Sequence, residues 1–398
     1  MIVALSAGRD SPPRLRARLA MDEAAQSQLL SGPRPGVGEL VILSTCHRTE
    51  LYATADGFEA EVVHSVAALL PELLPTDQHD VRFIQGSEAI EHLFRVACGL
   101  DSLVIGEPQV LGQVRRAYNL ASEAGAAGPV MHNIFARAIR LGKQVRSETP
   151  LGRLGQSIGS IAADYLDLRL RPAAARSGVV VGAGEAATDA AKVLWKSGAE
   201  LAIVSRTIDS AQTLASLVGG TAHTLEELSD VMIDRDFAVV AILGGAQVTS
   251  QDLPRRTPDD PFIILDLSVP QAVVVHDRDD VELRSLEEIP GPRGPEITDA
   301  VIEAEAMVKR EVAELQKWAD TRESGPAIQD LRSHAEALVR GELENGLSGL
   351  QLTVEQRERV EILTRRIVNK LLHGPTTAMR RSDESTRTSI KKLFGLDG

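Results

Sequence analysis

The chain has 398 residues, 43% of them hydrophobic and 25% charged, with a formal net charge of -13. The length suggests two or three domains, and the composition is that of a globular protein rather than a disordered or fibrous one. The acidic balance argues against a surface that holds nucleic acid by general electrostatics, leaving only local basic patches at Arg115–Arg116, Arg137 to Arg146, Arg365–Arg366 and Arg380 to Lys392.

The first segment reads as an α+β domain. A strand over MIVALSA (1–7) leads into one helix over PPRLRARLAMDEAAQSQLL (12–30). Strands over ELVILST (39–45) and TELYATA (49–55) then form a hairpin with a polar second face, followed by a helix over residues 58–74. From Ser87 the pattern is helical: SEAIEHLFRVACGLDS, EPQVLGQVRRAYNLASEAG, and a long stretch from Pro129 whose Val130, Ile134, Ala138 and Leu141 recur at helical spacing.

At Ser177 the text changes to SGVVVGAGEAATDAAKVLWKSGAELAIVSRT, a strand, a Gly-rich turn, a helix and a second strand. Further apolar runs at FAVVAIL and FIILDLSVP suit a parallel sheet covered on both faces. The Pro/Gly cluster IPGPRGPEI (289–297) marks a boundary. Beyond it a long amphipathic helix carries Val301, Val308, Val312, Leu315 and Trp318 on one stripe, with Thr298 or Asp299 as its N-cap. Two more helices follow, the last opening on a Thr353-x-x-Gln356 capping box, and this tail reads as an oligomerisation bundle.

Gly182-Ala183-Gly184-Glu185-Ala186-Ala187 follows a strand and opens a helix, the context that a dinucleotide fingerprint requires. The first glycine permits the tight turn, the second lets a pyrophosphate approach the backbone, and the helix N-terminus supplies unpaired N–H groups. The second strand ends in Ser205-Arg206-Thr207 instead of Asp or Glu. A guanidinium between hydroxyls favours a 2'-phosphate and hence NADP(H), while Asp209 keeps NAD open.

Cys46, in STCHRTELY (44–52), is one of two cysteines. A free cysteine after a strand is commonly a buried spacer. Its hydroxyl neighbours Ser44 and Thr45, and Arg48 two residues on, favour a reactive thiolate. These residues alone leave the two readings balanced. Cys98, within an apolar VAC, reads as a spacer, and His92 as a helix histidine. Gly99, Gly106, Gly112 and Pro108 are costly in helices and suggest a backbone that approaches something, with Asp101, Ser102, Glu107, Gln109 and Gln113 lining a pocket for a polar substrate. With no CxxC, no leader-like N-terminus, no membrane-length apolar run and no local histidine cluster, the expectation is free thiols, a cytoplasmic location and no metal site.

STCHRTELY, HLFRVACGLDSLVIGEPQVLGQV, GAGEAATDAA with SRT, and LTRRIVNKLLHGPTTAMR occur in the order found in the glutamyl-tRNA reductase family, which the chain resembles over essentially its whole length. The resemblance implies a multidomain α/β protein. An N-terminal α+β catalytic domain spans 1–150, a Rossmann NADPH-binding domain 151–296, and a spinal helix with an all-helical dimerisation domain 297–398, assembled as a V-shaped homodimer.

The implied reaction is NADPH-dependent reduction of glutamyl-tRNA(Glu) to glutamate-1-semialdehyde through a Cys46 thioester, the first step of 5-aminolevulinate and tetrapyrrole biosynthesis. By similarity Thr45, Cys46, His47, Arg48, Ser102, Glu107, Pro108, Gln109 and Gln113 hold the glutamyl group, with Arg48 pairing its carboxylate. His92 serves activity through proton transfer, Gly182 to Ala187 with Ser205, Arg206 and Thr207 hold the nucleotide, and a transient contact with glutamate-1-semialdehyde aminomutase follows. The chain departs from the family at His47, where Asn is usual, at SAGRDSPPRLRARLA, which lacks the loop's usual His and Lys, and at AILGGAQ, which has fewer hydroxyls. Two other readings stand beside this one: a paralogue that binds aminoacyl-tRNA or a partner without turnover, and a Rossmann dehydrogenase of a small acid.

Overall fold

The structure, a computed structural model, describes all residues except 46, 56–58, 78, 171–175, 243–247, 290, 292–293, 348–352, 382–388, 391 and 397–398. Cys46 and most of the AILGGAQ loop therefore lie outside the described residues. The chain divides into two compact units, Met1–Lys309 and Arg310–Gly398.

The first unit holds two main sheets. β1 (Ile2–Ala7), α1 (Pro13–Leu19), α2 (Glu23–Ser31), β2 (Val37–Ser44), β3 (Thr49–Ala55), α3 (Glu59–Ala67) and β4 (Arg82–Gln85) come first. The helices α4 (Gly86–Ala97), α5 (Gln109–Glu123), α6 (Pro129–Glu148), α7 (Leu151–Leu154) and α8 (Ile158–Arg169) follow. The four strands form an antiparallel sheet in the order β2-β3-β1-β4.

The helix expected over 12–30 is broken, because Asp22 caps a second helix by accepting from the Ala25 N–H at 2.8 Å. The polar second face expected of the hairpin is not solvated: Thr49 and Glu50 are buried. β4, too short to show a periodicity, pairs with β1.

The second sheet is built from β5 (Ser177–Val181), α9 (Glu185–Lys196), β6 (Glu200–Ser205), α10 (Ile208–Val218), β7 (Thr221–Thr224), α11 (Leu228–Met232), β8 (Phe237–Val240), β9 (Val248–Thr249), β10 (Phe262–Asp266), β11 (Val273–Val274) and β12 (Val281–Ser285). Its six strands are parallel in the order β12-β10-β8-β5-β6-β7, with β9 and β11 forming a separate pair. Counted from β5 this is the doubly wound order 3-2-1-4-5-6, whose connections reverse direction beside β5. The unbroken apolar runs have a cause: Val180, Ile203 and Val239 bury on one face, while Val179, Val181, Val204 and Val240 bury on the other.

α12 (Pro295–Leu347) begins before Thr298 and Asp299, which therefore lie within it and do not cap it. It runs without a break to Leu347, so the middle one of the three expected tail helices is its continuation. Val308, Val312 and Leu315 of the expected stripe are buried. In the second unit α13 (Val354–Arg381) opens on the capping box, with Gln356 N donating to Thr353 Oγ1 and Thr353 N to Gln356 Oε1. Leu331 and Leu372 centre its small core. No helix among the described residues is long and apolar enough to cross a membrane.

The glycines between α4 and α5 serve the chain itself. Gly106 has φ +78°, and a Cβ there would stand 2.9 Å from Gly155 Cα, so this backbone approaches another backbone segment. Gly112 meets only Arg116 Nη1 at 3.9 Å and needs no such freedom. Urea denaturation should therefore separate them: Gly106→Ala destabilises by more than about 1 kcal/mol, while Gly112→Ala is neutral or stabilises by up to about 1 kcal/mol.

Candidate active site

β2 and β3 are joined by a tight loop in which Thr45 N donates to Arg48 O at 2.8 Å. The Thr45 hydroxyl accepts from the His47 and Arg48 N–H groups, both at 3.2 Å. A hydroxyl that takes two backbone donors holds a turn without glycine.

Beneath the loop sits a buried charge hub. The fully buried Glu50 accepts from Ser6 Oγ at 2.9 Å, Arg48 Nη1 at 3.0 Å and the Tyr52 hydroxyl at 2.6 Å, and its Oε1 lies 2.9 Å from His92 Nε2. Arg48 also reaches Asp101, through Nη1 to Oδ2 at 3.2 Å and Nη2 to the carbonyl at 2.5 Å. Burial pushes the Glu50 carboxyl up, but His92 and Arg48 outweigh it and hold the group well below the usual carboxylate range. Burial, with Glu50 beside it, keeps the Tyr52 hydroxyl protonated.

Ligand atoms of Glu50, His92 and Asp101 lie within 4.8 Å of one another. No local motif betrays this trio, which three different segments supply. The Arg48 guanidinium bonds both carboxylates of this trio.

Beside the hub opens a small cleft. Thr45, His47 and Arg48 line one side, and Ser102, Glu107, Gln109 and Gln113 a second. Ile158 of α8 and Glu185 and Ala186 of the dinucleotide turn close it. Of the expected substrate residues, Pro108 N-caps α5 and is not among the lining residues, while His92, expected to be catalytic, lies in the hub against Glu50. Arg48 faces the cleft but is committed to Glu50 and Asp101. The sequence reading missed Glu50, whose signal was a carboxylate set among strand apolars, and Ile158.

Gly182 has φ +119°, and a Cβ there would lie 2.1 Å from the Ala241 carbonyl oxygen. Gly184 N-caps α9, and a Cβ there would meet nothing within 4 Å. That open space at a helix N-terminus fits the pyrophosphate of a dinucleotide. Glu185 accepts from Gln113 Nε2 at 2.9 Å and from Arg116 Nη2 at 2.7 Å, tying the turn to α5. Ser205 ends β6 buried, and Arg206 and Thr207 follow it exposed.

Two cleft residues have displaced proton affinities. Burial, only partly offset by Arg48 and reinforced by Asp189 and Glu185, pushes Glu107 up to about 7. Burial, then the charges of Arg16 and Arg48, push His47 down to about 4, so its imidazole is neutral at pH 7. Away from the cleft, burial pushes the Cys98 thiol up to about 12, which keeps it protonated and inert.

Comparisons with known proteins agree with this geometry. Residues 7–149 match the family model for the N-terminal domain of glutamyl-tRNAGlu reductase, and residues 303–396 the model for its dimerisation domain. Residues 168–291 match the shikimate / quinate 5-dehydrogenase model. A glutamyl-tRNA reductase of Rubrobacter xylanophilus is 34% identical over 94% of this chain and 90% of its own length. That of Herpetosiphon aurantiacus is 34% identical over 98% and 97%. The solved glutamyl-tRNA reductase from Methanopyrus kandleri superposes with a TM-score of 0.52 at 26% identity, covering 100% of this chain and 99% of that one.

The two displaced groups should oppose each other in a pH titration of stability. The raised affinity of Glu107 contributes stability that is complete below its ordinary 4.5 and is lost as pH rises through about 7. The lowered affinity of His47 contributes stability present above 6.5 and lost as pH falls through about 4. In urea denaturation across this range, Glu107→Gln should remove the loss on the alkaline side, on the order of 3 kcal/mol at full displacement, and His47→Asn the loss on the acid side.

Proposed function

The chain belongs to the glutamyl-tRNA reductase family and is an oxidoreductase with a dehydrogenase-like nucleotide-binding half, and from that premise we propose that it reduces glutamyl-tRNA(Glu) to glutamate-1-semialdehyde with NADPH. This is the first step of 5-aminolevulinate and tetrapyrrole synthesis. The observation that carries the reading is the shared cleft, in which the Thr45–Arg48 loop, the 102–113 segment and the first turn of α9 line one cavity. A small-acid dehydrogenase needs no such loop.

In this reading Cys46 attacks the ester carbonyl. A C–S bond forms, the bond to the tRNA ribose oxygen breaks, and that oxygen leaves with a proton. An ester accepts hydride poorly and a thioester accepts it better, which is the reason for a thiol nucleophile. NADPH, when bound, would supply the hydride; the C–S bond then breaks, which returns the Cys46 sulfur as thiolate and frees the aldehyde.

Gly182 to Ala187 hold its pyrophosphate, and Ser205, Arg206 and Thr207 its 2'-phosphate. Ser102, Gln109 and Gln113 orient the polar glutamyl group. Glu107, ionising near neutrality, pairs with the substrate's free ammonium. His92 acts through Glu50 beneath the loop and not by contact with substrate.

The halves at 1–150 and 151–296 thus divide substrate and cofactor. The segment 297–398, which carries the dimerisation-domain match, pairs two copies of the chain. Direct passage of the semialdehyde to an aminomutase would suit an unstable product.

The test is incubation with glutamyl-tRNA and either NADPH or NADH, following cofactor oxidation and semialdehyde formation. NADPH should be the better donor, with Cys46→Ser reduced to background. Arg206→Ala should raise the KM for NADPH by about 10- to 100-fold and that for NADH by little. Binding of glutamyl-tRNA with no turnover by the wild type would favour the binding-only paralogue.

A further inference from the structure

Glu185 places a negative charge where a dinucleotide turn receives a negative ligand. It opens α9 directly after the N-cap Gly184, beside the open space that fits a pyrophosphate. An acid in a first helical turn is favoured by the helix dipole, but a carboxylate turned to solvent would meet that preference. Here α5 takes both oxygens: Oε2 accepts from Gln113 Nε2 at 2.9 Å and Oε1 from Arg116 Nη2 at 2.7 Å.

The two donors stand one helical turn apart on α5, and Gln113 lines the same cleft as Glu185 and Ala186. One turn further along α9, Asp189 accepts from the Gly159 N–H of α8 at 2.7 Å. That second bond joins α9 to a helix of its own half, whereas Glu185 reaches across to the half that carries the Thr45–Arg48 loop. The side chains of the Arg116–Glu185 pair are 63% and 45% exposed, and pairs of that kind stabilise a fold only slightly. Its consequence is thus one of geometry and not of stability.

We propose that Glu185, held by Gln113 and Arg116, is a positioning residue for the hydride step: the clamp sets the separation of the dinucleotide turn from the substrate wall, so hydride transfer depends on it and thioester formation does not. This rests on the reading that Cys46 carries the glutamyl group and a nicotinamide cofactor reduces it. In that reading acyl transfer uses residues of 1–150 alone. The hydride must instead pass from a cofactor seated on α9 to the carbonyl carbon of the thioester, and a displacement of about 1 Å between such partners costs on the order of 100-fold in rate. Arg116 has a second effect, because it offsets the Glu185 charge next to the pyrophosphate. Its loss should also weaken cofactor binding, which saturating NADPH separates from the effect on the step itself.

The experiment resolves the two steps in single turnovers of the full chain with glutamyl-tRNA. Release of tRNA without cofactor reads thioester formation, and semialdehyde formed after addition of saturating NADPH reads hydride transfer. Wild type is compared with Arg116→Ala, Arg116→Glu and the charge exchange that combines Arg116→Glu with Glu185→Arg, each also denatured in urea. Arg116→Ala should slow the hydride step by about tenfold and Arg116→Glu, which sets two carboxylates against each other, by more, with tRNA release within about twofold of wild type and the urea midpoint unchanged. The exchange should recover the hydride step to within about threefold of wild type, since the Gln113 amide can turn its oxygen to a guanidinium as readily as its nitrogen to a carboxylate. A hydride step that keeps its wild-type rate in Arg116→Glu overturns the inference, as does a parallel fall of both steps or an exchange that recovers nothing. A wild type that releases no tRNA, or reduces no thioester, overturns the proposed function itself, and the role of the clamp with it.

Discussion

The site depends on one buried ion pair. Glu50 on β3 is fully enclosed and carries its charge only because Ser6, Arg48, Tyr52 and His92 surround its two oxygens. Those partners come from β1, the β2–β3 loop, β3 itself and α4. Removing one partner of such a pair leaves an uncompensated charge, a loss of about 3–5 kcal/mol. The hub therefore ties the loop end of the hairpin to β1 and α4. Through Asp101 it also fixes the start of the segment that carries Ser102 and Glu107.

A loop pinned from below can present side chains upward with little freedom to lose on binding. The opposite wall is the first turn of α9, held to α5 by Gln113 and Arg116 through Glu185. The arrangement also answers what His47 does where the family usually has Asn. Burial and two guanidinium neighbours keep its ring neutral, so the positive charge that could favour a thiolate at this loop comes from Arg16 and Arg48. His47 thus adds a neutral ring to the cleft wall, and neither of its ring nitrogens has a hydrogen-bond partner among the described residues.

Much of this was legible in the sequence because it rests on local periodicity or local turn chemistry. The unbroken apolar run of β5, the Gly182 to Gly184 turn and the SRT at the end of β6 all declare themselves within a few residues, as does the Thr353–Gln356 capping box. What escaped depends on partners far apart along the chain. Glu50 reads as one polar residue on an open hairpin face, and only the arrival of His92 and Arg48 makes it a hub. The glycines at 99 and 106 read as room for a ligand, whereas Gly106 makes room for Gly155. Asp22 divides a helix that composition alone makes continuous. Arg16, one of several arginines in an amphipathic stretch, is distinguished only by its burial.

The central claim is that a covalent acyl transfer and a hydride transfer share one cleft between the Thr45–Arg48 loop and the dinucleotide turn. It is tested most directly by mixing the protein with glutamyl-tRNA in the absence of any nicotinamide cofactor, quenching in acid and mapping the modified peptide by mass spectrometry. The account predicts a glutamyl group on Cys46 that disappears, with semialdehyde formed in equal amount, when NADPH is added before the quench. An unmodified Cys46 under conditions where tRNA is released, or semialdehyde formed by a protein lacking that thiol, would contradict it.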